Sequence, residues 1–269
     1  MKKKKMIFLL LSTSTFCFAQ IETDPARAIQ FEANPKYMSY VFGVGSAYLK
    51  NTYASPLAFS GPSVYVGTNN VRYKKRGVFD TFADISVDIA GQGPLLNLTT
   101  KTEYFYHWLL YSDTKLFFYT GLGGSFNVNL MMNMNGVGYN QLSWTEVLNV
   151  SPSIMLKYRL QLFGQNFDLS QQIYTPFIGC GVYPRYSFFG YNSQSDSKIL
   201  FTLILTSLHN SWGLNGRTYI DWRQKDKKGE EKKTFLRFGY QYEGSRVNFD
   251  GNSFQMSKGH FFVGTIKKF

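Results

Sequence analysis

Charge is scarce in this chain of 269 residues: Asp, Glu, Lys and Arg together make up 17% of it, and there are only two cysteines and eight prolines. Past residue 19 it also lacks any uninterrupted apolar run of about 18–20 residues, so no later segment can cross a bilayer as a helix. The low charge argues against a soluble secreted domain. Cys17 falls in the leader described below, which leaves Cys180 alone. One thiol forms no intramolecular disulfide, and with no Cys or His at ligand spacing it builds no zinc site, so neither a metal nor a cofactor is expected. Aromatic residues, by contrast, are abundant at 18%, with 25 Phe and 19 Tyr beside 24 Gly.

The chain opens Met1-Lys-Lys-Lys-Lys5, runs through the apolar stretch Met6 to Leu11 and reaches Phe16-Cys-Phe-Ala19 before Gln20. This is the layout of a secretory signal peptide over residues 1–19, with the mature chain beginning at Gln20. Lipid anchoring on Cys17 is disfavoured because Phe16 stands where a small residue is expected. Removing the leader takes away four lysines and no acid, lowering the formal charge from +12 to +8. Residues 20–36 are polar, contain Pro25 and Pro35, and read as a periplasmic lead-in or small plug. Residues 37–269 read as one domain.

That domain shows a period of two. Phe79, Ala83, Ile85, Val87 and Ile89 alternate with Asp80, Asp84, Ser86 and Asp88. Leu98, Tyr104, Tyr106, Trp108 and Leu110 share a face opposite Lys101, Glu103 and His107. Ile154, Leu156, Tyr158, Leu160 and Leu162 oppose Lys157, Arg159 and Gln161, while Arg217, Asp221 and Arg223 alternate with Thr218, Ile220 and Trp222. Leu236, Phe238, Tyr240 and Tyr242 likewise interleave with Arg237, Gln241 and Glu243. A helix would mix these sets. Strands with one apolar and one polar face, in a secreted chain without a spanning helix, define an all-β, transmembrane antiparallel β-barrel. A soluble β-sandwich accounts poorly for so many aromatics on the apolar faces.

Eleven segments are expected as strands: 37–49, 57–68, 78–90, 97–111, 115–131, 141–163, 167–182, 198–211, 216–224, 233–243 and 258–269. A barrel with both termini in the periplasm needs an even number, so twelve is favoured, with Arg246-Val-Asn-Phe249 as the missing strand, and ten is the alternative. Ser112-Asp113-Thr114 and Gly164-Gln165-Asn166 read as tight periplasmic turns, and Tyr183 to Ser197 and Lys225 to Lys233 as longer outer loops. Gly264 and the terminal Phe269 close an alternating strand in a way that resembles the signal read by the bacterial barrel-assembly machinery.

Candidate chemistry is sparse. In Ile199-Leu-Phe-Thr-Leu-Ile-Leu-Thr-Ser-Leu-His-Asn-Ser211, Ile199, Phe201, Leu203 and Leu205 are expected to face lipid, which carries His209 and Ser211 onto the same side. A His and a Ser two apart on the outer surface resemble the pair of outer-membrane lipid hydrolases, in which imidazole takes the serine proton. The competing reading, which is favoured, is an interfacial histidine beside Trp212, at the periplasmic rim. Asp80, Asp84 and Asp88 form an inward stripe whose steps of about 13 Å are too wide for paired acid–base work. Their expected partners are Lys101, Arg159, Arg217, Arg223 and Arg237. Together with Glu103, Lys157, Asp221 and Glu243, these charges read as a paired polar network filling the lumen rather than as a selective pore. Gly121, Gly123 and Gly124 indicate a strand bend or close packing. The basic stretch Tyr73-Lys-Lys-Arg-Gly77 suits a surface beside lipid A phosphates, though solvated charge is the favoured account, and nothing here calls for nucleic acid.

Four stretches carry a resemblance: Asn51-Thr-Tyr-Ala-Ser-Pro-Leu57, Thr175-Pro-Phe-Ile-Gly-Cys-Gly-Val-Tyr-Pro-Arg-Tyr186, Ser207-Leu-His-Asn210 and Arg237-Phe-Gly-Tyr240. Together they resemble a family of Bacteroidota outer-membrane barrels of unassigned function. The resemblance implies a Bacteroidota host and an outer-membrane site. In its light Ser207-Leu-His-Asn210 is a recurrent structural element that brings no catalytic residue with it. The functional expectation is a non-enzymatic barrel serving as an accessory or scaffold subunit of a larger outer-membrane complex for protein insertion, secretion or uptake. Its expected partners are outer-membrane lipid and lipopolysaccharide, the assembly machinery, and other outer-membrane proteins or lipoproteins. The alternatives are a narrow porin and a lipid hydrolase.

Overall fold

The computed structural model describes residues 35–51, 58–91, 95–133, 142–184, 201–225, 231–249 and 252–269. The leader, nearly all of the lead-in and residues 52–57, 185–200 and 226–230 of the stretches quoted above lie outside them. Twelve strands follow in chain order: β1 (Lys36–Asn51), β2 (Ala58–Lys74), β3 (Gly77–Ala90), β4 (Leu95–Ser112), β5 (Leu116–Asn133), β6 (Leu142–Leu162), β7 (Gln165–Tyr174), β8 (Ile178–Pro184), β9 (Phe201–Ser207), β10 (Ser211–Arg223), β11 (Thr234–Phe249) and β12 (Asn252–Lys268). Ten of them close an antiparallel ring in the order β1-β2-β3-β4-β5-β6-β7-β10-β11-β12, with β12 returning to β1. β8 and β9 stand outside that ring, with β8 on β6 and β9 on β8.

These outside strands resolve the parity question. β6 pairs with β7 up to Ser153↔Tyr174 and then with β8 from Val150↔Ile178, so three residues, Thr175-Pro176-Phe177, face two on β6. That is a β-bulge, placed where Pro176 has no N–H to give the ladder. β7 and β8 are therefore one bulged pass along β6. β9 and β10 form the returning pass, broken at Leu208-His209-Asn210. The segments expected as 198–211 and 216–224 thus belong to one crossing of the wall. Arg246–Phe249 is no separate strand, because β11 continues through it to Phe249. With the crossing count reduced by one, the direction of every later segment reverses. Of Lys225 to Lys233, expected as an outer loop, the described residues Lys225 and 231–233 lie instead at the end where β1 begins and β12 ends, with an isolated bridge between Lys225 and Glu231. This end is called proximal below, and the other distal. The turns at Lys75-Arg76, Asp113–Lys115 and Phe163-Gly164 are also proximal.

The register fixes the barrel's girth. From Met155 the ladder passes through Gln172, Arg217, Gln241, His260, Gly45, Ser63, Asp88, Asn97 and Met131 and re-enters β6 at Ser143, twelve residues from its start. Ten strands with that stagger tilt by roughly 40° and enclose a backbone cylinder of roughly 10 Å radius. Side chains reaching in from opposite walls meet in a space of that width. Close packing follows at β5, where a Cβ on Gly121 would lie 2.6 Å from the His107 ring, and one on Gly123 would strike the Phe105 ring. A hydrogen fits at these positions and a methyl group does not, so only glycine is accommodated.

Candidate functional site: a filled lumen inside an apolar wall

The two faces of the wall have exchanged the roles they hold in a soluble protein. Outward positions are large and apolar and remain exposed: Phe42 and Val44 on β1, Ile85 on β3, Leu148 on β6, Phe238 on β11 and Phe261 on β12. Water would not tolerate a continuous belt of this kind on a monomer, whereas hydrocarbon does. Inward positions are polar or charged and almost wholly buried, Asp88, Glu103 and His107 among them. A closed ring has no free edge strand, which is the condition for crossing lipid with strands. The class of protein so defined is a transmembrane β-barrel.

Inside, charges meet in three clusters. Towards the distal end Asp88 accepts from Lys258 Nζ at 2.6 Å, from Ser63 Oγ at 2.5 Å and from Asn97 Nδ2 at 2.7 Å, and Lys258 also reaches Thr99 Oγ1 at 2.6 Å. His260 Nε2 lies 2.6 Å from Ser63 Oγ. In the middle Lys101 pairs with Glu103 at 2.7 Å and with Glu243, while Arg217 pairs with Glu103, and the Tyr174 hydroxyl accepts from Lys101 and donates to Glu103. Nearer the proximal end Arg237 grips Asp221 with two bonds of 2.6 and 2.8 Å and donates to Asn69 Oδ1 at 3.0 Å; Asn69 in turn donates to Asp80. Such forked contacts are the strong form of the interaction.

Apolar layers separate and cap these clusters. Leu49, Leu95, Met131, Phe254 and Met256 pack together distally, Val41, Tyr65, Phe82, Tyr219 and Phe262 at mid-height, and Tyr37, Val78, Phe117, Tyr119, Met155 and Phe235 proximally. A cavity of about 290 Å³ opens at the proximal mouth, lined by Lys115, Arg159, Gln161, Asn166, Arg223 and Glu231.

The inward charges expected from alternation come together in part. Asp80, Asp84, Asp88, Lys101, Glu103, Arg217, Asp221, Arg237 and Glu243 are buried, whereas Lys157, Arg159 and Arg223 line the half-buried proximal mouth. The expected matching of the Asp80, Asp84 and Asp88 stripe to Lys101, Arg159, Arg217, Arg223 and Arg237 does not occur as direct ion pairs among the described residues. Asp88 takes Lys258, Asp80 is reached from Arg237 only through Asn69, and Asp84, across the β3–β4 register from Lys101, sees that ammonium turned to Glu103 and Glu243. The stagger is the reason, since it sets which walls face each other across the lumen. Lys258, His260 and Asn97 went unnoticed. The alternation of Lys258 and His260 with Phe261 and Val263 is their signal.

His209 and Ser211 are not brought together. His209 Nδ1 is hydrogen-bonded to Ser207 Oγ, and no bond joins it to Ser211 among the described residues. Ser211 lies opposite Val247, two residues before β11 ends distally, so the expected periplasmic-rim position is also overturned, again because β9 and β10 are one pass. Asn210 organises the break: its side chain accepts from Ser207 N at 2.9 Å and donates to Leu205 O at 2.9 Å, and its carbonyl accepts from Asn248 N at 2.8 Å. Of the two residues read as an assembly signal, Gly264 faces Val41 and Arg237 in the registers of its neighbours, and Phe269 is exposed at the proximal end with its N–H on Lys36 O at 2.9 Å. No set of three or more His, Cys, Asp or Glu among the described residues is placed to hold a metal.

No known protein family matches the chain, and no curated protein does. Among solved structures it is similar to the translocator domain of the autotransporter NalP from Neisseria meningitidis, with 7% identity over 97% of each chain and a TM-score of 0.45. It is also similar to the beta domain of the Bordetella autotransporter BrkA, with 12% identity over 88% of this chain and all of that one and a TM-score of 0.40, and to the monoaromatic hydrocarbon channel TodX, with 8% identity over 92% and 93% and a TM-score of 0.33. What those proteins translocate or conduct is not carried over to this chain.

Proposed function

We propose that the chain is an integral outer-membrane barrel of a Gram-negative bacterium, of Bacteroidota by its sequence resemblance, that acts as an accessory or scaffold subunit of a larger outer-membrane complex rather than as a conduit or an enzyme. The observation that carries this reading is the filled lumen: opposite charges consume one another in three clusters, and apolar layers lie above, between and below them. A pore needs polar groups left for water and ions, and here they are spent on each other. The partners this reading names are outer-membrane lipid and lipopolysaccharide, the barrel-assembly machinery and other outer-membrane proteins or lipoproteins. The signal-peptide layout and the Gly264 to Phe269 ending support delivery to that membrane.

The test has two arms. The purified barrel in a planar bilayer should show no steady conductance, and mild-detergent extraction of native membranes should yield it in a stoichiometric complex that survives size-exclusion chromatography. Large, uniform, ion-selective openings, or a chain that leaves native membranes only as a monomer, would refute the scaffold reading.

A further inference from the structure

We infer that the outward proximal arc from β12 across β1 to the β2–β3 turn is a binding surface for anionic phospholipid headgroups of the leaflet on that side; the inference rests on the transmembrane reading and not on the scaffold role. Lys36, Arg72, Lys74, Lys75, Arg76 and Lys267 lie together there, all exposed. Lys36, Arg72, Lys74 and Lys267 continue the same outward faces that carry Tyr40, Val66 and Val263 higher up, so their side chains leave the wall just beyond the apolar belt. No acid of the described residues comes within ion-pair distance of any of the six. The acids of this end, Asp113, Asp168 and Glu231, sit elsewhere on the rim, and Asp168 and Glu231 are taken by Arg223.

The arrangement is unfavourable without an anion. Lys36 and Arg72 stand directly opposite each other in the β1–β2 register, and like charges in that position repel. A shared phosphate turns the repulsion into two attractions. Aromatic rings fix the height at which this happens. The ammonium of Lys36 lies 5.7 Å, and that of Lys267 5.2 Å, from the centroid of Phe269, while Lys74 lies 6.0 Å from that of Tyr106. A cation held over a ring at the border of an apolar belt has its stem in the lipid and its charge among headgroups. A free acidic protein would meet these charges as readily, but it would have no use for rings set at the belt's edge. The stretch Tyr73 to Gly77 reads from sequence as solvated charge, with a surface beside lipid A phosphates as the alternative. At the proximal end of a barrel whose termini are periplasmic, the phosphates within its reach are instead those of phospholipid.

The test uses the full mature chain folded into vesicles of phosphatidylcholine mixed equally with phosphatidylglycerol, with bound lipid read by native mass spectrometry. The wild type should retain phosphatidylglycerol in at least about tenfold excess over phosphatidylcholine. The quadruple variant Lys36→Gln/Arg72→Gln/Lys74→Gln/Lys267→Gln should lose that excess, and Lys232→Gln/Lys233→Gln, at the same end but off the arc, should keep it. Arg72→Lys, which preserves charge, should keep most of it if the quadruple variant folds poorly. Equal retention of the two lipids by the wild type, or an excess that persists in a folded quadruple variant, overturns the proposal. So does protection by inorganic phosphate alone equal to that of the vesicles, or preferred retention of lipid A when it is added. A wild type that enters neither pure phosphatidylcholine nor the mixture defeats the transmembrane reading itself, and this proposal with it.

Discussion

The interior of this barrel stands or falls on individual charges. Lys258 is the only base within ion-pair distance of Asp88 among the described residues, and both are buried. Lys258→Met keeps the bulk and removes the charge, which leaves a carboxylate stranded in a dry site. We expect a loss of about 3–5 kcal/mol in the unfolding free energy of the barrel folded in lipid vesicles, measured by urea titration. Asp88→Asn added to Lys258→Met should restore most of it, because a neutral amide does not need the ammonium. The sequence discloses that Asp88 points inward, since a period of two along one strand is a local property. It does not disclose that Lys258 is the partner, because that meeting joins residues 170 positions apart through a stagger that no single strand encodes.

The same limit shows at the level of whole strands. Every strand of the ring was legible from alternation, and β8 and β9 fell largely within expected strands, but that they stand outside the ring as continuations of β7 and β10 was not legible, because breaks and turns use the same residues. His209-Asn210-Ser211 was expected at the end of the strand 198–211, whereas Leu208-His209-Asn210 is a break within one pass. Its cohesion comes from Asn210, whose side-chain and backbone hydrogen bonds tie Leu205, Ser207 and Asn248 together. Asn210→Ala, which removes the two side-chain bonds and keeps the backbone ones, should therefore speed amide exchange at Ser207 by tenfold or more, while exchange in β1 and β12 is unchanged, as read by hydrogen–deuterium exchange; uniform acceleration would mean that the break is not a separate unit. Depth in the wall makes a further distinction between elements. Val44 on β1 pairs with Val64 and Phe261, inside the belt, whereas Leu203 belongs to β9, beyond the ring. Val44→Arg should cost about 2–4 kcal/mol of folding stability in vesicles and Leu203→Arg about 0–1 kcal/mol. Equal costs at the two positions would place β9 in the hydrocarbon.

At the scale of the whole molecule, filling and closure are two aspects of one geometry. Ten strands make a cylinder too narrow to leave a water column once Tyr, Phe, Arg and Lys line it, so sealing needs no separate plug domain. Composition pointed the same way, through charges of both signs on inward faces, although the apolar layers that complete the seal could not be read from alternation because they interrupt it. The proximal rim holds more than ten bases among the described residues, while Lys50 and Arg246 are the bases near the distal one. The stretches that join strands distally, 52–57, 92–94, 134–141, 185–200 and 250–251, contribute only Arg185, Lys198, Asp196 and Asp250, which cancel. One rim of the cylinder can therefore slip through oil at small electrostatic expense, while the other is barred from it by its own charge. Whichever side the chain approaches from, the pale rim leads and the basic rim stays behind, so the molecule carries in its own wall the arrow of its insertion.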